Sequence, residues 1–307
     1  MKVISATRDL GADGRKVCLA IGVFDGVHLG HQQIIRQTIS DARQHEAVAL
    51  VVTFDRHPSA IVAPDRQPGL IYTLPQKLRT LAALGPDATL VLPFDKEFSR
   101  QTGAHFIQQL SLGLGNIQSI CVGANFVFGY KRSGNVTLLK NLGKNIGFNV
   151  HGLASLALDG QVVSSTRIRE AIRLGQLDAA SQMLGRPYAL CGKIVTGDGL
   201  GRQFGFPTAN LETTGLNLPP NGVYAGLTST SKATYRVALN IGRRPTLNSP
   251  VPALRVEAHL LDFAGDLYGQ ELEIIVGDRL RDEQKFQSPE QLKEQIARDV
   301  AAVRAKT

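Results

Sequence analysis

Short apolar runs alternate with segments of helical period through the first half of the chain, and the pattern changes near residue 185. Val17 to Phe24 reads as a buried strand. It breaks into a glycine-punctuated turn, and a helix opens near His31 with Ile34, Ile35, Thr38, Ile39 and Ala42 on one face. Further strands are predicted at Ala47–Phe54, Ala88–Leu92, Gln118–Val122 and Asn149–Leu156, with helical segments around Pro75–Leu84, Thr102–Leu110 and Val136–Lys144 between them. Strand–helix repetition of this kind predicts a parallel, doubly wound sheet whose ligands bind beyond the carboxyl ends of its strands. Asp25–His31 and Gly123–Gly134 fall at two such ends.

Two short helices come next, Thr166–Leu174 and Leu177–Leu184, each closed by a glycine, Gly175 and Gly185. From Arg186-Pro187 onward the chain reads as strands and turns. Tyr188–Val195, Gly222–Thr228, Tyr235–Ile241, Leu254–Asp262 and Glu271–Val276 are separated by Gly, Pro and Asn, which predicts an antiparallel barrel or sandwich. A last helix carries a full start signal: Ser288 as N-cap, Pro289 at N1 and Gln291 completing a capping box. Its apolar face is Leu292, Ile296, Val300 and Val303. The expected domains are residues 1–184 and 185–307.

Composition narrows the class. A chain of 307 residues accommodates two domains, and 43% hydrophobic with 20% charged residues is the balance of a soluble globular protein. No apolar run approaches the roughly 20 residues of a membrane span, and the N-terminus has no secretory h-region. Cys18, Cys121 and Cys191 lie in apolar, strand-like stretches, as reduced core thiols of a cytoplasmic protein would. The net charge is +8, with 19 Lys and Arg against 13 Asp and Glu in residues 1–184. Such an excess suits nucleic acid or phosphorylated small molecules, or arginines on solvated helix faces. Without a consecutive basic block or a helix-turn-helix, a regulator that binds nucleic acid is the weaker reading. No membrane partner is expected, and the oligomeric state stays open between monomer and weak self-association.

The turn after the first strand carries the first chemistry. A helix opening there aims backbone N–H groups and a positive dipole end at whatever lies over the strand, and His28 and His31 add donors beside Gly22 and Asp25. Neither Walker A nor the dinucleotide fingerprint is present, so this is a different phosphate grip. The plainer alternative is a histidine that caps the helix. A second anion-binding helix start is Val163-Ser164-Ser165-Thr166-Arg167-Ile168-Arg169; ordinary capping explains one of its hydroxyls but not Arg167. In the loop Asn125–Gly134, Phe126, Phe128 and Tyr130 either stack a flat ring or belong to the core.

Taken in order, G-V-F-D-G-V-H-L-G-H, T-F-D-x-H-P, V-G-A-N-F-x-F-G-x-x-R-S-G and S-S-T-R-I-R-E-A-I resemble the adenylyltransferase module of the bacterial bifunctional riboflavin kinase/FMN adenylyltransferase (FAD synthetase) family. The second half is similar to its kinase module, through Gly197-Asp198-Gly199-Leu200-Gly201-Arg202, Gly205-Phe206-Pro207-Thr208-Ala209-Asn210, Val256-Glu257-Ala258-His259, Asp266-Leu267-Tyr268-Gly269 and Arg281-Asp282-Glu283-Gln284-Lys285-Phe286. The resemblance covers nearly the whole chain. It implies a Rossmann-like nucleotidyltransferase domain with a parallel sheet, then an antiparallel β-barrel riboflavin kinase domain with a C-terminal helix.

It implies ATP as substrate of both halves, Mg²⁺, and riboflavin, FMN and FAD as substrates or products. In the first half Gly22, Asp25, His28, His31, Asn125, Ser164, Thr166 and Arg167 would bind ATP, with His28 and His31 catalytic. Phe54, Asn125 and Phe128 would meet the flavin. In the second, Gly197, Gly199, Gly201, Arg202 and Tyr268 would bind ATP, Thr208 and Asn210 the metal, and Arg281, Gln284 and Phe286 the flavin, with Glu257 as general base. Two places depart from the family pattern: Arg56 stands where many relatives have proline, and Arg243, Arg244, Leu247 and Asn248 differ from the commoner G-T-R-P-T-F form. A different acceptor for the first half, phosphopantetheine-like or choline-phosphate-like, is the competing enzyme reading.

Overall fold

The apolar run that opens at Val17 forms a strand buried along its whole length, β2 (Val17–Ile21), in the middle of a six-stranded sheet. The computed structural model describes residues 1–11, 14–197, 200–231, 233–246 and 249–306. With β1 (Lys2–Ile4), β3 (Val48–Phe54), β4 (Ala88–Leu92), β5 (Ile117–Gly123) and β6 (Asn149–Leu153), the order is β1-β4-β3-β2-β5-β6, every pair parallel. The chain steps outward from β2 to β3 and β4, then returns to β5 on the other side. Strand order therefore reverses between β2 and β5, where such sheets place ligands.

Helices α1 (Leu29–Gln44), α2 (Leu74–Ala83), α3 (Gly103–Leu114) and α4 (Val136–Ile146) complete this region. The last three are capped by Thr73, Thr102 and Asn135, whose side-chain oxygens accept from the N–H of Gln76, His105 and Leu138. Side chains alternate across the sheet. Leu19, Leu50, Leu90 and Ile120 pack with Phe106 and Leu139 in one core, while Ala20 and Val51 pack with Ile35 and Leu81 in another. Burial pushes the Cys121 thiol up to about 12, which keeps it an inert core group. All three cysteines are free and buried.

The predicted first strand is shorter than expected. It stops at Ile21 because Phe24 turns left-handed, with φ 52°. Strand β1 lies outside the expectation, being three residues long and pairing only at the sheet edge with β4.

Contacts divide the chain into compact units Met1–Arg167 and Ile168–Thr307, a division inside α5 (Ser165–Arg173) and ahead of the expected 184/185. The reason is that α5 and α6 (Leu177–Leu184) are tied to Tyr188 and Asn217 of the second unit. Asn217 Nδ2 donates to Arg169 O at 3.0 Å, Tyr188 O–H donates to Asn217 O at 3.1 Å, and Tyr188 N–H donates to Ser181 Oγ at 3.0 Å. The second unit is a closed antiparallel barrel of β7 (Ala189–Val195), β8 (Ala209–Glu212), β9 (Gly222–Ser229), β10 (Thr234–Thr246), β11 (Ser249–Leu260) and β12 (Glu271–Arg281). Their order is β7-β8-β11-β10-β9-β12, with β12 returning to β7. Closure removes every sheet edge, and Leu190, Ile194, Leu239, Val256, Ala258 and Ile274 are buried.

Helix α7 (Pro289–Ala305) starts as predicted, Ser288 Oγ accepting from Gln291 N–H at 3.3 Å. The Gln291 amide oxygen reaches past Ser288, however, and accepts from Gln287 N–H at 3.2 Å, so the box closes one residue early. Among the described residues no helix is long and apolar enough to cross a membrane.

Candidate active sites

Beyond β2 the backbone takes an unusual course. Phe24 (φ 52°), Gly26 (φ 75°) and Val27 (φ 40°) are all left-handed, and for Phe and the β-branched Val that conformation is strained. The result is a tight turn that swings the chain into α1 with His28 as its N-cap. His28 Nδ1 accepts from His31 N–H at 3.4 Å, and the two imidazoles stack with centroids 3.6 Å apart. The capping role and the paired-imidazole face therefore coexist. Gly22 is explained by the same turn, since a Cβ there would stand 2.9 Å from the Phe24 ring. Asp25 is 5% exposed, and its carboxylate accepts from Ile71 N–H at 3.1 Å and Tyr72 N–H at 3.2 Å. Its carboxylate thus braces the turn against the lead-in to α2, a structural duty added to the expected ATP contact.

The second helix start does meet the first. Ser165 O–H donates to Asp25 O at 3.0 Å, which brings the N-terminus of α5 against the turn that opens α1. Two positive helix ends thereby meet near the β2–β5 reversal, an arrangement chemically able to hold an anion. Ser164 Oγ accepts from Arg167 N–H at 3.2 Å as a helix cap, and Thr166 is exposed beside it. One Arg167 guanidinium nitrogen donates to Leu158 O and Gln161 O at 3.2 and 3.1 Å, so this arginine is steadied by the Ala157–Leu158/Gln161–Val162 ribbon. Ser165 was the hydroxyl of this motif without an expected role.

Asn125 is exposed in the turn after β5, at the reversal. The aromatics next to it in the loop belong to the core. Phe126 and Phe128 stack at 5.0 Å, and contacts run on through Phe106, Phe98 and Phe94 to Phe54 at 5.3 to 6.2 Å. Phe128 is wedged against Gly134 and Gly103, where added Cβ atoms would stand 2.7 and 3.1 Å from its ring. Phe126 and Phe128 are partly buried against the core, and Phe54 is buried at the other end of the same aromatic chain. Tyr130 remains exposed. Arg56, at the family departure, donates from Nε and Nη2 to Asp55 Oδ2 at 3.2 and 2.9 Å. Burial works to raise the Asp55 pKa, but hydrogen bonds from Arg56 and Phe94 N–H outweigh it and hold that carboxyl below its ordinary value.

One residue of this site escaped the sequence. Lys77 of α2 is 7% exposed, and its Nζ donates to Phe54 O, Thr53 Oγ1 and Val23 O at 2.8, 3.2 and 3.3 Å. Burial lowers its pKa to about 8, against the pull of Asp25 and Asp55. The available signal was position: Lys77 lies four residues before the buried Leu81, on the inward face of α2.

In the barrel unit, Gly197 and Gly201 lie against the Thr208–Asn210 stretch. A Cβ on Gly197 would overlap the Asn210 side chain, and one on Gly201 would stand 3.1 Å from Thr208 Oγ1. Glu257 is half-buried on β11, opposite Asn210 of β8 on one side and Asn240 of β10 on the other. A cavity of about 460 Å³ is lined by Arg202, Thr208 and Tyr268 with Ile194, Leu260 and Leu267. A second, of about 490 Å³, has Asn210, Glu212, Thr213 and Arg255 in its wall. The structure thus brings together Gly197, Gly201, Arg202, Thr208, Asn210, Tyr268 and Glu257. Gly199, Leu247 and Asn248 lie outside the described residues.

The expected flavin residues sit apart from both cavities. The Arg281 guanidinium forms an ion pair with Asp299 of α7, Nε to Oδ1 at 2.9 Å and Nη2 to Oδ2 at 2.7 Å, and its centre lies 5.9 Å from the Phe286 ring. That ion pair fastens the last helix to β12. Gln284 is exposed and Phe286 partly buried.

A family model for FAD synthetase matches residues 11–167, and one for riboflavin kinase matches residues 184–307. The chain is 36% identical over 308 residues to the bifunctional riboflavin kinase/FMN adenylyltransferase of Escherichia coli (strain K12), covering 99% of this chain and 97% of that one. It is likewise 36% identical over 306 residues to the protein of that name from Pseudomonas fluorescens, with 99% and 97% covered. Among solved structures, a Streptococcus pneumoniae protein described as a macrolide-efflux protein superposes with a TM-score of 0.81 at 29% identity, covering 99% of both chains. Two family models matched in order, together with relatives aligned from end to end, show that this chain belongs to the bifunctional riboflavin kinase/FMN adenylyltransferase family.

Proposed function

We propose that the chain makes FAD in two steps. The barrel unit transfers the γ-phosphoryl group of ATP to the 5′-hydroxyl of riboflavin, giving FMN and ADP. The sheet unit then transfers the adenylyl group of a second ATP to the FMN phosphate, giving FAD and pyrophosphate. The observation that carries this reading is the convergence of two helix N-termini through Ser165 and Asp25 in one unit, with a separate Gly–Thr–Asn–Glu constellation in the other.

Adenylyl transfer needs no protein nucleophile, because the FMN phosphate itself attacks the α-phosphorus. His28, His31 and the N–H groups of α1 and α5 supply donors where negative charge grows, in a fixed geometry. In the barrel, Glu257 accepts the proton of the riboflavin hydroxyl as it attacks. Arg202 and Tyr268 hold ATP in the first cavity. The Thr208 hydroxyl and Asn210 amide are the neutral oxygens a hard cation accepts, so they fit Mg²⁺, which when bound offsets phosphate charge. The substrates are small molecules, and three buried, reduced thiols favour a cytoplasmic setting.

Incubation of the pure protein with riboflavin, ATP and magnesium, with the products separated by chromatography, is expected to yield FMN and then FAD. Accumulation of FMN with no FAD would sink the adenylyltransferase half.

A further inference from the structure

A lysine is rarely found in a core unless its ammonium is held there. At Lys77 three ammonium hydrogens meet three acceptors, Val23 O, Thr53 Oγ1 and Phe54 O, all at the carboxyl ends of β2 and β3. Thr53 O–H also donates to Val23 O, at 3.1 Å. Val23 immediately precedes the left-handed Phe24, and a strained backbone of this kind persists only where its surroundings over-determine it. The lead-in to α2 supplies a second brace, Ile71 and Tyr72 N–H on the Asp25 carboxylate. One segment, residues 71–77, therefore grips the turn at Val23 and again at Asp25.

We infer that Lys77 is a positioning residue for adenylyl transfer: by binding the Val23 and Phe54 carbonyls, its ammonium fixes the turn that aims His28 and His31. The inference rests on the reading of this unit as an FMN adenylyltransferase. Filling the space does not require a charge, since a methionine of similar length would occupy it without any donor. The charge serves the shape of the turn.

The ionisable groups that line one narrow cleft with Lys77 are Asp25 in the turn, Asp55, Arg56 and His57 after β3, and Tyr72 ahead of α2. Burial brings the Lys77 pKa to about 8, with Asp25 and Asp55 opposing. Above that pH the neutral amine has two hydrogens for three acceptors, and its lone pair faces one of them. Adenylyl transfer then loses rate on the alkaline side with a midpoint near 8, a limb that riboflavin phosphorylation does not share.

The test uses the full-length chain with two separate assays, FMN plus ATP to FAD and riboflavin plus ATP to FMN, each across pH. Lys77→Met is expected to lower kcat for FAD formation roughly ten- to a hundredfold with KM for ATP within about threefold. Its riboflavin phosphorylation stays at the parent rate, and its alkaline limb disappears. Lys77→Arg, charged throughout the range, keeps more of the rate than Lys77→Met and also lacks the limb. A Lys77→Met chain that makes FAD at the parent kcat overturns the inference. So does a parent profile with no limb near pH 8, an observation that needs no variant. If the parent chain phosphorylates riboflavin but never forms FAD, the adenylyltransferase reading itself fails and the inference falls with it.

Discussion

Burying an ammonium at position 77 leaves the folded chain holding that proton less tightly than the unfolded chain does. The ordinary lysine value is 10.5 and the folded value about 8. Between those two values the unfolded state is protonated and the folded state is not, so this group's contribution to stability rises with pH. Below about 8 both states are charged and the full burial cost is present. Lys77→Met removes that titration, so its stability relative to the parent is expected to be highest at pH 7 and to fall by about 3 kcal/mol toward pH 10.5. Denaturant melts at several pH values check this, and an advantage that grows with pH would contradict it. Stability and rate then run in opposite directions at one side chain, as positioning groups often require. Gly22 makes a second case. Its Cβ position is 2.9 Å from the ring of Phe24, itself 1% exposed. Gly22→Ala is expected to cost about 1–3 kcal/mol through overpacking, and to depress FAD formation while riboflavin phosphorylation continues; thermal melts and the paired assays read both.

At the scale of elements, the attachment of α7 to the barrel depends on a pair of charges. Asp299 is 6% exposed and accepts from Arg281 and from Gln295 Nε2, while Val303 packs with Ala225 and Leu261. Removing one partner strands the other charge in a dry place, so Asp299→Ala is expected to destabilise the protein by about 3 kcal/mol. Paired replacement of Arg281 and Asp299 by methionine and leucine should cost less, and the comparison is made by denaturant unfolding. The same elements show what a sequence can reveal. Val17–Ile21, Ala88–Leu92 and α6 were legible because a short apolar run, or an apolar period of 3.6, is written into adjacent residues. Strand β8 was not, because Gly-Phe-Pro-Thr reads as a turn and the four residues Ala209–Glu212 gain their strand character from pairing with β7 and β11. The site divides in the same way. His28, His31 and Ser164–Arg167 announce themselves by spacing at helix starts. The bracing by Asp25 and Lys77, and the commitment of Arg281 to Asp299, depend on residues 18 to 54 positions away, beyond the reach of local pattern.

For the whole molecule, the two constellations lie in different compact units, and FMN is the product of one and the substrate of the other. Each unit holds its own donors: the His28–His31 turn belongs to the first, and Glu257 sits between Asn210 and Asn240 within the barrel. Glu257→Gln removes a proton acceptor while keeping shape, so it is expected to abolish FMN formation and leave conversion of FMN to FAD intact. His31→Ala, which takes away one stacked imidazole, is expected to do the reverse. Neither variant alone turns riboflavin into FAD. Mixed together they should, because FMN released by the His31→Ala chain is a substrate for the Glu257→Gln chain. Free FMN must then accumulate before FAD appears, and the lag must shorten as protein concentration rises. A mixture whose FMN stays bound to the His31→Ala chain, although the Glu257→Gln chain converts added FMN, would mean that the two sites exchange it only within one chain.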